Sequence, residues 1–197
     1  ITLYAEWKPI EYIVVFDANG GTGNMNDQTF KYDEVQTLQE NKLEKPGYVF
    51  SGWNLAKDGS DTSYANKESI LNLTSVNGKR ITIYAQWSAN SYTVVFNANG
   101  GKGTMLDQIF TYDVAKNLRP NTFTKKGYTF AGWMKSENGT EEIYTNNQEV
   151  KNITTSGTIT LYAKWIRNKY TVVYNSNAPV ETVQGNMENS NFEYDVK

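Results

Sequence analysis

Cysteine and histidine are both missing from the 197-residue chain. Without thiols there are no disulfides, thiolate nucleophiles or Cys/His zinc sites, and without imidazole there is no histidine base and no Ser-His-Asp triad. A dominant charge is also lacking. Lys+Arg number 19 against Asp+Glu 21, a net charge of −2, which creates no field able to gather nucleic acid or anionic lipid. No nucleic acid partner is expected. Long apolar runs are absent too: the longest are of the kind Tyr12-Ile-Val-Val-Phe16, far short of the roughly 18 residues a membrane span requires. Membrane insertion of this segment is therefore not expected. The first residues lack the basic and apolar regions of a signal peptide, which leaves location to indirect inference.

What the chain does have is aromatic bulk. Hydrophobic residues make up 39% and aromatics 14%, with 14 Tyr and 5 Trp, enough to build small cores and to predict a globular rather than a disordered chain.

A repeat organises these residues. The segments Ile1-Thr-Leu-Tyr-Ala-Glu-Trp7, Ile81-Thr-Ile-Tyr-Ala-Gln-Trp87 and Ile159-Thr-Leu-Tyr-Ala-Lys-Trp165 recur with Trp spacings of 87 − 7 = 80 and 165 − 87 = 78. Tyr12, Tyr92 and Tyr170 each open a new run shortly afterwards. Between Tyr12–Val35 and Tyr92–Ala115, 15 of 24 positions are identical, too many for shared composition, so the copies are homologous to one another. The expected organisation is a closing strand of a preceding repeat at 1–9, repeat modules at 10–87 and 88–165, and the opening hairpin of a following repeat at 166–197.

Within each module the apolar residues alternate. Tyr12/Val14/Phe16 oppose Ile13/Val15, Phe30 and Tyr32 follow, Tyr48/Phe50 lead into Trp53, and Ile81/Ile83/Ala85/Trp87 oppose Thr82/Tyr84. A period of two predicts strands. Asn19-Gly20-Gly21 and Asn99-Gly100-Gly101 stand between the first two runs and supply the positive-φ positions of a hairpin connection. Lys67–Leu73 and its counterpart Asn147–Ile153 form either a short helix or an irregular crossover, the second copy being weakly helical. The predicted fold class is mainly β, α+β at most. Each module is a mixed or antiparallel sheet with no more than one short helix, one sheet face being covered by loops and large aromatics.

The ordered set Tyr-x-Val-x-Phe-x-Ala-Asn-Gly-Gly, then Gly-Tyr-x-Phe-x-Gly-Trp at 47–53 and 127–133, then Ile-Thr-(Leu/Ile)-Tyr-Ala-x-Trp, resembles the Listeria-Bacteroides repeat, the module family that includes the internalin B-repeat. The resemblance implies a β-grasp-like module of secreted or anchored bacterial surface proteins, usually tandem, with an adhesive or spacing role. It carries over no catalytic residue and no cofactor. The third copy departs from the pattern, with Asn177-Ala-Pro-Val in place of Asn-Gly-Gly, and both complete modules are long around 55–80 and 135–158.

Several segments invite a functional reading. Asp17–Asp27 gathers oxygen ligands and glycines like a calcium or phosphate loop, yet Asp17 becomes Asn97, Asn26 becomes Leu106, and the third copy carries an insertion. An exposed hairpin loop tolerates such changes and a coordination sphere does not. Trp53 and Trp133, each beside a glycine, could be sugar-stacking platforms, but their period-two placement after Phe50 and Phe130 predicts core. Trp7, Trp87 and Trp165 end their strands and are candidates to pack between modules. Asp33/Glu34 and Glu141/Glu142 could pair as acid and base only if they converged in a pocket. Glu141/Glu142 has no counterpart pair where Ser60/Asp61 stands, so solvated charge is the expected reading. A Lys–Asn isopeptide bond would need a buried lysine, asparagine and acid. No catalytic, cofactor or metal residue is therefore assigned, and binding residues are left unassigned.

The linkers Lys8–Glu11, Ser88–Ser91 and Ile166–Lys169 are four residues each and span at most about 13–14 Å. Short links between small domains predict a semi-rigid string. The expected role is a non-catalytic repeat region of a bacterial cell-surface or secreted protein, a semi-rigid spacer or stalk, with adhesion as an added role. Its partners would be neighbouring repeats of the same chain and, on the alternative reading of a binding module, a glycan or host protein; a third reading is an ancillary domain of a surface enzyme.

Overall fold

A computed structural model describes residues 1–139, 143–175 and 187–196. The chain divides into two compact units, Ile1–Asn90 and Ser91–Lys197, and no helix occurs among the described residues.

In the first unit, β1 (Glu11–Asp17) and β2 (Gln28–Lys31) form the expected antiparallel hairpin, Tyr12 opposite Phe30. The alternation is realised directly, since Tyr12, Val14 and Phe16 are buried while Ile13 and Val15 are only half-buried. The chain then passes through β3 (Gln36–Thr37), β4 (Tyr48–Asn54), β5 (Ser63–Tyr64) and β6 (Ser69–Ile70), and closes with β7 (Arg80–Ala89). The main sheet has the order β2-β1-β7-β4-β5. The last long strand inserts parallel to the first, Val14 opposite Ile81, and antiparallel to β4. This is a mixed sheet of β-grasp type in which irregular chain stands where a helix would pack.

A sheet with one apolar face needs a cover. Leu38, Leu43 and Ile70 come from the chain outside the main sheet and join Tyr12, Trp53 and Ile83 in one buried cluster. The small β3–β6 pairing, Gln36 opposite Ile70, pins that cover. The helical alternative for Lys67–Leu73 is thereby corrected. Lys67 and Asn72 have φ of 59° and 55°, left-handed values that break a right-handed helix, and the backbone between them pairs as a strand.

The second unit repeats the plan with β8 (Ser91–Asn97), β9 (Gln108–Thr111), β10 (Lys116–Asn117), β11 (Tyr128–Met134), β12 (Ile143–Tyr144), β13 (Glu149–Val150) and β14 (Gly157–Arg167), in the order β12-β11-β14-β8-β9. Its core holds Phe123 where the first holds Leu43, and Val150 where the first holds Ile70. The larger ring lies 6.1 Å from Trp133. Beyond β14, a hairpin of β15 (Lys169–Val172) and β16 (Ser190–Glu193) places Tyr170 on Phe192, as Tyr12 stacks on Phe30. Residues 1–10 form no strand, and Ile1, Leu3, Tyr4 and Trp7 are exposed.

Two expectations need adjustment. The Asn-Gly-Gly turn does not join β1 to β2 directly. Gly21 N donates to Ala18 O, and the chain then detours through Thr22, which bridges Glu44, before reaching Gln28. The second and third linkers are also shorter than four residues, because β4 and β11 supply partners beyond the tryptophans: Tyr48 pairs with Ala89 and Tyr128 with Arg167. Asn168 alone separates β14 from β15.

Candidate functional site

The Asp17–Asp27 loop was the strongest sequence candidate, and the side chains in it are committed to the backbone. Asp17 Oδ1 accepts from Asn19 N at 2.7 Å, and in the second module Asn97 Oδ1 accepts from Asn99 N at 2.8 Å. Acid and amide do the same job because an Asx turn needs only an oxygen acceptor. Asn19, with φ of 47°, then donates its amide to Lys57 O and Ala85 O, both at 2.9 Å. Asn99 does likewise to Glu137 O and Ala163 O. Asp27, at the far end, pairs with Arg80. No cluster of three or more acidic side chains suited to a metal occurs among the described residues.

The third motif locks the first. Trp87 Nε1 donates to Ala18 O at 2.9 Å, and Trp165 Nε1 to Ala98 O at 2.9 Å. A Cβ on Gly21 would stand 2.7 Å from Trp87 Cζ2, and one on Gly101 would stand 2.8 Å from Trp165 Cζ2, so the second glycine of Asn-Gly-Gly is where the indole lies. Phe50 bridges the motifs, edge-on to Trp53 at 5.0 Å and to Trp87 at 5.7 Å. Gly52 sits at a bulge with φ of 140°, its missing Cβ making room for Tyr64 O. Trp87 and Trp165 thus pack inside their own modules, and Trp53 and Trp133 are fully buried. Their indole N–H groups find no acceptor, so ring size rather than hydrogen bonding selects Trp there.

The carboxylates do not converge. Asp33 Oδ1 accepts from Asn72 Nδ2 at 2.8 Å, and Glu34 pairs with Lys31 at 3.6 Å. Asp58 accepts from Ser60 Oγ at 2.6 Å, and those bonds hold its carboxyl below the usual value. Glu141/Glu142 and Asn177-Ala-Pro-Val lie outside the described residues. No lysine is buried among the described residues. The one asparagine fully buried among the described residues, Asn54, donates to Gly59 O, Asp61 O and Ser63 Oγ and accepts from Ala56 N and Asp61 N. That amide organises the 55–61 loop, and Met134 replaces it in the second module.

Sequence reasoning missed one constellation, at the end of the second module. Tyr128 Oη donates to Asp195 Oδ2 at 3.2 Å, and its ring meets Tyr194 edge-on at 5.9 Å. The bond with Tyr128 also holds the Arg167 guanidinium above its ordinary pKa, helped by Glu193 and Asp195. The signal available was recurrence. Tyr32-Asp33, Tyr112-Asp113 and Tyr194-Asp195 occupy equivalent positions in the three copies.

The model of the Listeria-Bacteroides repeat domain matches residues 12–86 and again 92–164. A protein bearing the name Gly-rich membrane protein in Evansella cellulosilytica is 33% identical over 180 residues, 89% of this chain and 19% of that protein. Internalin H of Listeria monocytogenes serovar 1/2a is 31% identical over 158 residues, 80% of this chain and 25% of that protein. A second Evansella protein, named a membrane protein, is 31% identical over 183 residues, covering 90% of this chain and 24% of its own length. The chain therefore spans about a fifth to a quarter of the length of these curated relatives.

Proposed function

Since this chain belongs to the Listeria-Bacteroides repeat family, we propose that it is a non-catalytic tandem-repeat region of a bacterial surface protein, acting as a semi-rigid spacer. Module boundaries at 10–87 and 88–165, with the closing strand of a preceding repeat at 1–9 and the opening hairpin of a following repeat at 166–197, belong to this reading. The observation that carries it is the fate of the recurring residues. Asn19, Gly21, Phe50, Trp53 and Trp87 of the first module, like their second-module equivalents, are consumed in packing the module. Where the copies differ in the core the replacements stay apolar, Phe123 for Leu43 and Val150 for Ile70, while polar loop residues change freely, Asp17 to Asn97 and Asn26 to Leu106. A catalytic set would show the reverse pattern, with recurring polar groups left facing a pocket. The single-residue joint at Asn168 supports stiffness, because one residue supplies few soft dihedrals. The surface location rests on the family and on the names of the relatives. Small-angle scattering of the chain tests the reading: an elongated particle is expected, and a compact globule would overturn it.

Adhesion is a second reading, favoured by one difference between the modules. Leu106, Ile109 and Val114 are exposed along the edge strand β9 and its flanks, where the first module has Asn26, Thr29 and Glu34. Exposed apolar residues on an edge are a liability unless something uses them. The variant Leu106→Asn/Ile109→Thr/Val114→Glu, which installs residues the first module already tolerates, should lose binding to a glycan array or to host surface proteins. A parent chain with no hit on either retires this reading.

A further inference from the structure

The joint between the second module and the following hairpin is a built contact. Asn168 N donates to Gly127 O at 2.9 Å, and Tyr194 N donates to Asn168 O at 2.9 Å. The Tyr194 ring lies where a Cβ on Gly127 would be, so any side chain there would overlap it. Gly127 has φ of 77°, a second reason for glycine. The Tyr128 ring forms the wall, with Lys125 Nζ 4.6 Å from its centroid, and its hydroxyl reaches Asp195. A Gly-Tyr turn is thus the socket, and a Tyr-Asp turn from the next repeat is the plug.

The first unit, taken by itself, carries both parts. Its socket has Gly47 with φ of 80°, Lys45 Nζ 4.3 Å from the Tyr48 ring centroid, and Asn90 N donating to Gly47 O at 2.9 Å. Its plug is Tyr32-Asp33. Tyr32 N donates to Ile10 O at 2.8 Å, as Tyr194 N does to Asn168 O. Asp33 has φ of 61°, against 57° for Asp195. Its Oδ1 is taken by Asn72 Nδ2, while Oδ2 is the atom with which Asp195 accepts the Tyr128 hydroxyl. Ile10 stands three residues after Trp7, and Asn168 three after Trp165 (10 − 7 = 3 and 168 − 165 = 3).

We propose that the Tyr32-Asp33 turn is a docking element for a preceding copy of this repeat, whose Gly-Tyr turn it engages as Tyr194-Asp195 engages Gly127-Tyr128. The proposal rests on the spacer reading and names the contact that stiffens the string. An aromatic ring over a bare glycine peptide excludes any other residue from the floor. The phenol-to-carboxylate bond is charge-assisted, so it adds direction to the packing.

The test extends the full chain at its N-terminus with a copy of residues 88–165, so that Trp165 of the copy takes the place of Trp7. Because the sequence has no cysteine, spin labels can be placed at will through Ser75→Cys in the first module and Glu149→Cys in the copy. Pulsed dipolar spectroscopy should give one narrow distance distribution, kept in Tyr32→Phe and lost in Tyr32→Ala. Tyr128→Ala within the added copy, which leaves the first module untouched, should lose it equally. A narrow distribution that survives both alanine variants overturns the docking role and leaves the spacer standing. A broad distribution in the parent overturns stiffness and docking together.

Discussion

Trp87 and Ala18 are 69 residues apart in sequence, yet the indole N–H of one donates to the carbonyl of the other at 2.9 Å. The same bond joins Trp165 to Ala98. The last motif of each module is therefore folded onto the turn that ends its first strand, and neither is complete without the other.

Trp87→Phe should remove that bond while keeping an aromatic ring against Phe50. Gly21 N continues to donate to Ala18 O, so the carbonyl is not orphaned. The expected loss is about 1–3 kcal/mol, the net value of a hydrogen bond plus the volume of the missing ring. Urea unfolding of parent and variant measures it, and an unchanged midpoint would refute the lock.

Gly21→Ala places a methyl group against Trp87 Cζ2 and Glu44 O, each 2.7 Å from the built Cβ. Backbone on one side and a packed indole on the other leave little room to yield, so a destabilisation of about 1–3 kcal/mol is expected. In the double variant with Trp87→Phe the costs should fall short of their sum, because the smaller ring vacates part of the clash. Strict additivity would show that Trp87 is not what the glycine accommodates.

Asn54→Ala strips the buried amide from the 55–61 loop and leaves Ala56 N and Asp61 N without their acceptor. The expected cost is about 1–3 kcal/mol. Hydrogen exchange at those two amides should accelerate, while exchange in β1 should change little. Uniform acceleration across the module would mean that Asn54 supports the core rather than the loop.

The strands and the tandem order were legible because alternation of large apolar residues has a period no helix shares, as Tyr12/Val14/Phe16 shows. The burial of Trp53 depends on more than that phase: it stands three residues after Phe50, and the bulge between Phe50 and Gly52 brings both rings to one core. The turn at Lys67–Leu73 was ambiguous, since its left-handed residues are a lysine and an asparagine rather than glycines. Strand extension beyond Trp87 was hidden because Ala89 becomes a strand residue only through Tyr48, 41 positions away (89 − 48 = 41). The docking turn was invisible for a related reason: Tyr32 lies outside β2, and its role depends on chain from another repeat.

The parallel pairing of β1 with β7 has a mechanical consequence. The chain enters each module at the start of one strand and leaves at the end of its parallel neighbour, so its two ends sit at opposite ends of the shared ladder. Tension applied between those ends acts along the strands. Every bond from Ile13 to Asp17 is sheared at once instead of peeling in succession, and the force at which such a module gives way is set by its unfolding rate rather than its equilibrium stability. On the spacer reading proposed above, flow across the surface would load each module in this direction.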